Sequence, residues 1–147
     1  MAAVRQGPSV AGRLEGVLET ALYARDLDAA EAFYGGILGL ERISRVGTRH
    51  VFYRCGPGVL LIFNPEETRQ PAAGDALPVP PHGAEGAGHL CFPVSGDALD
   101  TVRAGLEAAG ITIEAEITWP TGARSFYFRD PAGNSLECGE PKLWDLN

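Results

Sequence analysis

Glu19, His89 and Glu137 carry the donor groups of a hard-metal centre, and each sits in a strand-like run. Side chains alternate faces along a strand. Glu19, Ala21 and Tyr23 therefore share one face, and Leu18, Leu22 and Ala24 share the other. His89 and Cys91 lie opposite Leu90, Phe92 and Val94, and Glu137 lies opposite Leu136 and Cys138. Each candidate donor points away from the side that suits packed helices. Two carboxylates and one imidazole suit Mn²⁺, Fe²⁺, Ni²⁺, Co²⁺ or Zn²⁺. An ion with open positions polarises a bound oxygen pair or activates water. A carboxylate beside it, Glu137 or Glu19, can then move a proton as the catalytic base.

Other side chains are placed to meet a substrate. His50, Phe52 and Arg54 share a strand face, and Tyr23, Trp119 and Tyr127 add aromatic surface. Arg124 and Arg129 offer charge to an anion, although Arg129 beside Asp130 also suits a turn-fixing role. His82, among prolines, is placed to close over a cavity, and Trp144 reads as packing. Cys55, Cys91 and Cys138 are an odd set without CxxC spacing, read as buried hydrophobes in a reducing compartment. The chain has no Gly-rich phosphate loop, no Gly-x-Ser-x-Gly and no His-Glu-x-x-His.

The elements that must hold these residues come twice. A strand over 17–23 leads to a helix capped at Asp26, with Leu27, Ala30, Phe33, Tyr34, Ile37 and Leu38 at helical spacing and Gly39 as its stop. Strands follow over 41–46, 49–54 and 59–63. Residues 64–88 hold Pro65, Pro71, Pro78, Pro80 and Pro81, a density that predicts a linker without regular structure. A strand over 89–94 then precedes a helix capped at Ser95 or Asp97, with Ala98, Leu99, Val102, Leu106 and Ala109 on its apolar face and Gly110 at its end. Strands over 112–117, 125–129 and 134–138 close the pattern. The halves also match in sequence: Arg49 to Arg54 lies over Arg124 to Arg129. This is one βαβββ unit used twice.

Length and charge narrow the function. A chain of 147 residues is one domain or two joined halves, and buries roughly 70% of its unfolded surface. A net charge of -7 repels phosphate backbones, which argues against nucleic acid as a partner. No apolar run approaches the roughly 18 residues of a membrane span. Residues 1–13 lack the pattern of a signal peptide, so a cytoplasmic protein is expected.

The run from Asp26 to Tyr34 with Leu38-Gly39-Leu40, and the run from Phe128 to Glu137 through Asp130-Pro131-Ala132-Gly133-Asn134, resemble the opening and closing signatures of the vicinal-oxygen-chelate superfamily. That group holds glyoxalase I, bleomycin-resistance proteins and extradiol dioxygenases. The resemblance covers roughly residues 16–141 and implies an α+β fold, two βαβββ modules forming a curved mixed sheet around a cavity. It divides the chain into a flexible tail (1–15), a first module (16–66), a linker (67–86), a second module (87–141) and a C-terminal tail (142–147). It maps the family's metal positions onto Glu19, His89 and Glu137. A fourth position falls on Leu60 to Phe63, which has no donor. One divalent ion (Zn, Ni, Co, Mn or Fe) is implied, with isomerase or lyase chemistry on a small oxygenated substrate ahead of ring cleavage. The alternative is a metal-free protein that sequesters a drug or metabolite in an aromatic groove. A homodimer is implied as well.

Overall fold

The computed structural model describes residues 10–146; residues 1–9 of the expected tail, and Asn147, lie outside the described residues. The first module runs β1 (Glu19–Tyr23), α1 (Leu27–Glu31), β2 (Glu41–Val46), β3 (His50–Cys55) and β4 (Gly58–Phe63). After a short helix α2 (Pro65–Thr68), the second module repeats it as β5 (His89–Pro93), α3 (Gly96–Ala108), β6 (Ala115–Thr118), β7 (Arg124–Arg129) and β8 (Ser135–Gly139). The strands form two four-stranded sheets, ordered β1-β4-β3-β2 and β5-β8-β7-β6. Each is mixed: β1 runs parallel to β4 and β5 parallel to β8, and the remaining pairs are antiparallel.

Local sequence explains most boundaries. Asp26 caps α1 by accepting from the Ala29 amide at 3.0 Å. The expected single helix does not stay α-helical: from Ala32 to Ile37 it widens to a π-helix. Phe33 and Tyr34, both buried, lie within this stretch. Gly39 then turns the chain at φ +70°, a conformation that a side chain resists. In the linker, Asn64 accepts from the Glu66 amide and Pro65 starts the helical turn of α2, so the prediction of no regular structure fails there. Residues 69–88 hold only turns and irregular backbone.

The helix-facing sides of both sheets share one core. Leu22, Val51, Tyr53, Leu60 and Ile62 of the first module join Leu99, Leu106, Phe126, Phe128 and Leu136 of the second. A buried polar cluster ties the halves together. Asp130 accepts from the Tyr34 hydroxyl at 2.6 Å, from the amides of Ala132 and Asn134, and from the Asn134 side chain. Asn134 also donates to the Tyr23 carbonyl and accepts from the Gly88 amide.

Tyr53 is fully buried, yet its hydroxyl has no partner. Removing that oxygen removes an uncompensated desolvation cost. Tyr53→Phe is expected to leave stability unchanged or raise it by up to about 1 kcal/mol in denaturant melts. A loss larger than that would mean that the hydroxyl is satisfied in solution.

Candidate functional site

The sheet face turned away from the helices is lined by two cavities, one per module. In the second module a cavity of about 690 Å³ is lined by His89, Cys91, Trp119, Tyr127, Glu137 and Trp144 among others. The ladders set this grouping: Cys91 and Tyr127 both stand opposite Glu137, on β5 and β7. Glu137 is 4% exposed, and its Oε2 has no hydrogen-bond partner. Its Oε1 lies 3.4 Å from His89 Nε2. The Ser135 carbonyl, 2.9 Å from His89 Nδ1, can only accept, so Nδ1 carries the proton. In the neutral ring Nε2 then turns a lone pair towards the carboxylate. Two acceptors facing each other call for a cation between them, a proton or a metal. A histidine whose other nitrogen donates to a backbone carbonyl is the usual arrangement of a metal ligand. His89 and Glu137 thus fit as two ligands of a divalent ion.

The neighbouring side chains feel this carboxylate. Burial, and then the Glu137 carboxylate beside it, push the Cys91 thiol up to about 12. Burial and Glu137 also raise the Tyr127 phenol above its ordinary range. Trp119 is held over this cavity by an indole N–H donated to Ser125 Oγ at 2.8 Å.

The first module's cavity, about 710 Å³, lies between that sheet and the linker. Glu19, His50, Phe52, Leu61 and Phe63 form one wall, and linker residues from Gln70 to His82 contribute the other. The linker is pinned as a strap. Arg25 pairs with Glu66 and Glu85, Arg69 pairs with Glu85, and the His82 amide donates to Thr68. Tyr23 Oη and His82 Nδ1 hydrogen-bond at 2.7 Å. His50 stacks on Phe52 with centroids 3.9 Å apart.

Arg49 donates to His50 Nδ1, which puts the ring proton on Nε2. Burial, and then the Arg49 charge, lower the His50 pKa from its ordinary 6.5. The native state therefore binds fewer protons here than the unfolded chain. Stability from this site is present above pH 6.5 and is lost as pH falls through the lowered value. Melting temperatures are expected to decline below that pH, and His50→Gln is expected to flatten the slope. Parallel slopes for the two proteins would sink the assignment.

The structure brings some predicted site residues together and separates others. His89, Glu137, Tyr127 and Trp119 share one cavity; Glu19, His50 and Phe52 share the other. Among the described residues no three His, Cys, Asp or Glu side chains gather around a single point, so Glu19 does not meet the His89–Glu137 pair within one chain. Tyr23 bonds to His82 at the strap. Arg54 is exposed and pairs with Glu41. Arg124 is corrected: it has the parity of Phe126, not Tyr127, and reaches Asp100 and the Gly96 carbonyl at the start of α3. Arg129 fixes the closing turn through the Gly133 carbonyl and pairs with Glu114. Trp144 does not pack; it is 77% exposed at the rim of the second cavity. Residues that the sequence reading passed over are Ser135, whose carbonyl orients His89, and Arg49, which sets the His50 tautomer. Backbone roles such as that of Ser135 leave no side-chain signal.

Comparisons with known proteins agree with this fold. The family model described as the Glyoxalase/Bleomycin resistance protein/Dioxygenase superfamily matches residues 16–138. The crystal structure of a lactoylglutathione lyase from Agrobacterium tumefaciens is 46% identical, with a TM-score of 0.86, over 90% of this chain and 98% of that one. A glyoxalase/dioxygenase from Nostoc punctiforme is 25% identical with a TM-score of 0.64, covering 93% of this chain and 97% of that one. A glyoxalase/bleomycin resistance protein/dioxygenase from Nocardioides, 22% identical with a TM-score of 0.65, covers 93% of this chain and 85% of that one and speaks to the fold alone.

Proposed function

We propose that this chain, which belongs to the Glyoxalase/Bleomycin resistance protein/Dioxygenase superfamily, is a divalent-metal-dependent enzyme acting on a small oxygenated substrate by lyase or isomerase chemistry. The observation that carries the reading is the buried, half-unpartnered Glu137 carboxylate facing the lone pair of an anchored His89. The 46% identity to a lactoylglutathione lyase favours lyase chemistry over ring cleavage.

His89 and Glu137 would hold the ion. When bound, it would supply Lewis-acid polarisation of a pair of substrate oxygens. The other tasks fall to the protein. Ser135 keeps the His89 ring in one tautomer and orientation. Glu137 or Glu19 takes the proton from the activated carbon and returns it. Trp119, Tyr127 and Trp144 flank the substrate and limit water. Glu19 lines the other cavity of its own chain, so its contribution as ligand or base requires a second copy. A homodimer that sets the first module of one chain against the second module of its partner answers that need. The exposed Val17 and Leu18, beside edge strand β1, offer apolar surface for it. No helix among the described residues is long and apolar enough to cross a membrane.

A second reading has its own observation. The strapped cavity is walled by His50, Phe52, Leu61 and Phe63 and suits a small aromatic ligand without any metal. Elemental analysis after loading with each candidate ion, with sedimentation of the same sample, separates the two. About one ion per chain and a species near twice 15.6 kDa are expected. No ion under any loading condition would replace the enzyme reading with the binding-protein reading.

A further inference from the structure

We propose that the strapped cavity of the first module is a ligand site in its own right, one that takes a small aromatic carboxylate with its acid group at Arg49 and its ring against Phe52 and Leu61. This goes beyond the aromatic fit of that cavity, because it fixes the polar end of the ligand, and it does not depend on an ion at His89 and Glu137. Arg49 lines the cavity, and among the described residues no carboxylate pairs with it. Its guanidinium lies 5.6 Å from the centre of the Phe63 ring and donates to His50 Nδ1 at 2.6 Å. A guanidinium is a fork of five N–H donors, and it holds a carboxylate by two parallel, charge-assisted bonds. The imidazole contact leaves enough of that fork for an anion.

His50 is the second observation. It is 9% exposed and lines the same cavity. Its ring proton is on Nε2, and among the described residues nothing accepts it. A buried donor without an acceptor is costly, and an oxygen of the ligand removes that cost. Stacking on Phe52 fixes the ring that carries this donor. The carboxylates that face the cavity are Glu19 and Glu67. Strand register keeps Glu19 away from Arg49. His50 pairs with Phe63 and Phe63 with Tyr23, whereas Glu19 lies four residues back along β1, about 13 Å along the strand. Salt screens an exposed charge at that range. Glu67 is exposed and accepts from the Asn64 side chain at 3.3 Å. His82 is engaged by Tyr23. Leu77 and Val79 of the strap close the apolar side, and a volume of about 710 Å³ has room for a one- or two-ring acid.

The test is calorimetric titration of the full-length protein with benzoate, benzamide and benzylamine, both zinc-loaded and after chelation. Benzoate is expected to bind about tenfold more tightly than its neutral isostere benzamide, as a charge-assisted pair outdoes a neutral one, and equally in both preparations. Arg49→Gln should erase that preference, and Phe52→Ala should weaken benzoate and benzamide alike. Should Arg49→Gln fail to fold, salt gives the same answer on wild type: raising it should weaken benzoate and leave benzamide unchanged. Equal affinity for benzoate and benzamide, tightest binding of benzylamine, or no binding of any probe would overturn the proposal. Benzoate that binds only with zinc present would place the acid on the ion, which also overturns it and leaves the metal-enzyme reading standing. Benzoate bound by a protein that takes up no zinc would sink the metal reading and leave this one.

Discussion

His89→Ala is expected to abolish stoichiometric metal binding and to lower turnover roughly a hundredfold or more, since even outer-sphere partners of a metal are worth 10–100-fold. The effect should be specific to the loaded protein. The His89 side chain is 52% exposed, and the bonds it makes are one to a backbone carbonyl and one long contact to Glu137. Truncating it in the absence of metal is therefore expected to change stability by no more than about 0.5 kcal/mol. With metal present the two proteins should part. A ligand at a hundred times its Kd stabilises by about 2.7 kcal/mol, and the variant cannot draw on that term. Paired melting curves with and without zinc check this. Equal melting temperatures in zinc, or an equal drop for the variant without it, would remove His89 from the site.

The second large effect lies at the seam between the modules. Asp130→Ala leaves the Tyr34 hydroxyl, two backbone amides and the Asn134 side chain without their shared acceptor, all in or beside the core. Burial, and then Asp130, already push the Tyr34 phenol far above its ordinary range, so Tyr34 cannot offset the loss by ionising. Unsatisfied buried donors cost about 1–3 kcal/mol each, partly relieved by relaxation. A total of about 3–5 kcal/mol is expected, and a fall in melting temperature of roughly 10 °C for a chain of this size. Because Asn134 precedes Ser135, metal affinity should fall as well. A variant within about 1 kcal/mol of wild type would show that the cluster is spectator chemistry.

Much of this was legible in the sequence because the signals are local. Strand-like runs bounded by turns located the eight strands of the described residues, with the sixth at Ala115–Thr118 rather than 112–117, glycines at 39 and 110 marked the helix ends, and the doubled pattern implied the doubled fold. Two kinds of feature were not. The π-helical stretch at Ala32–Ile37 changes the hydrogen-bond pitch of the helix, which the spacing of its apolar residues does not encode. The separation of Glu19 from His89 and Glu137 depends on how two sheets are set against each other, which strand parity does not encode. The face that Arg124 takes was, by contrast, legible. Tyr127 is three residues away, an odd spacing, so the two cannot share a face of one strand.

The seam also has a kinetic consequence. Tyr34 and Asp130 are 96 positions apart, and Tyr23 and Asn134 are 111 apart. Such contacts form only after long loops have closed, and folds dominated by distant pairings reach the native state slowly. The first module can assemble its sheet as soon as it leaves the ribosome, but its Phe33 ring must wait for Phe128 to arrive. Until then an apolar helix face stands in water. For a chain built from one unit used twice, that waiting interval is the stage most open to pairing with the wrong copy, since a neighbouring molecule presents the same partner surface.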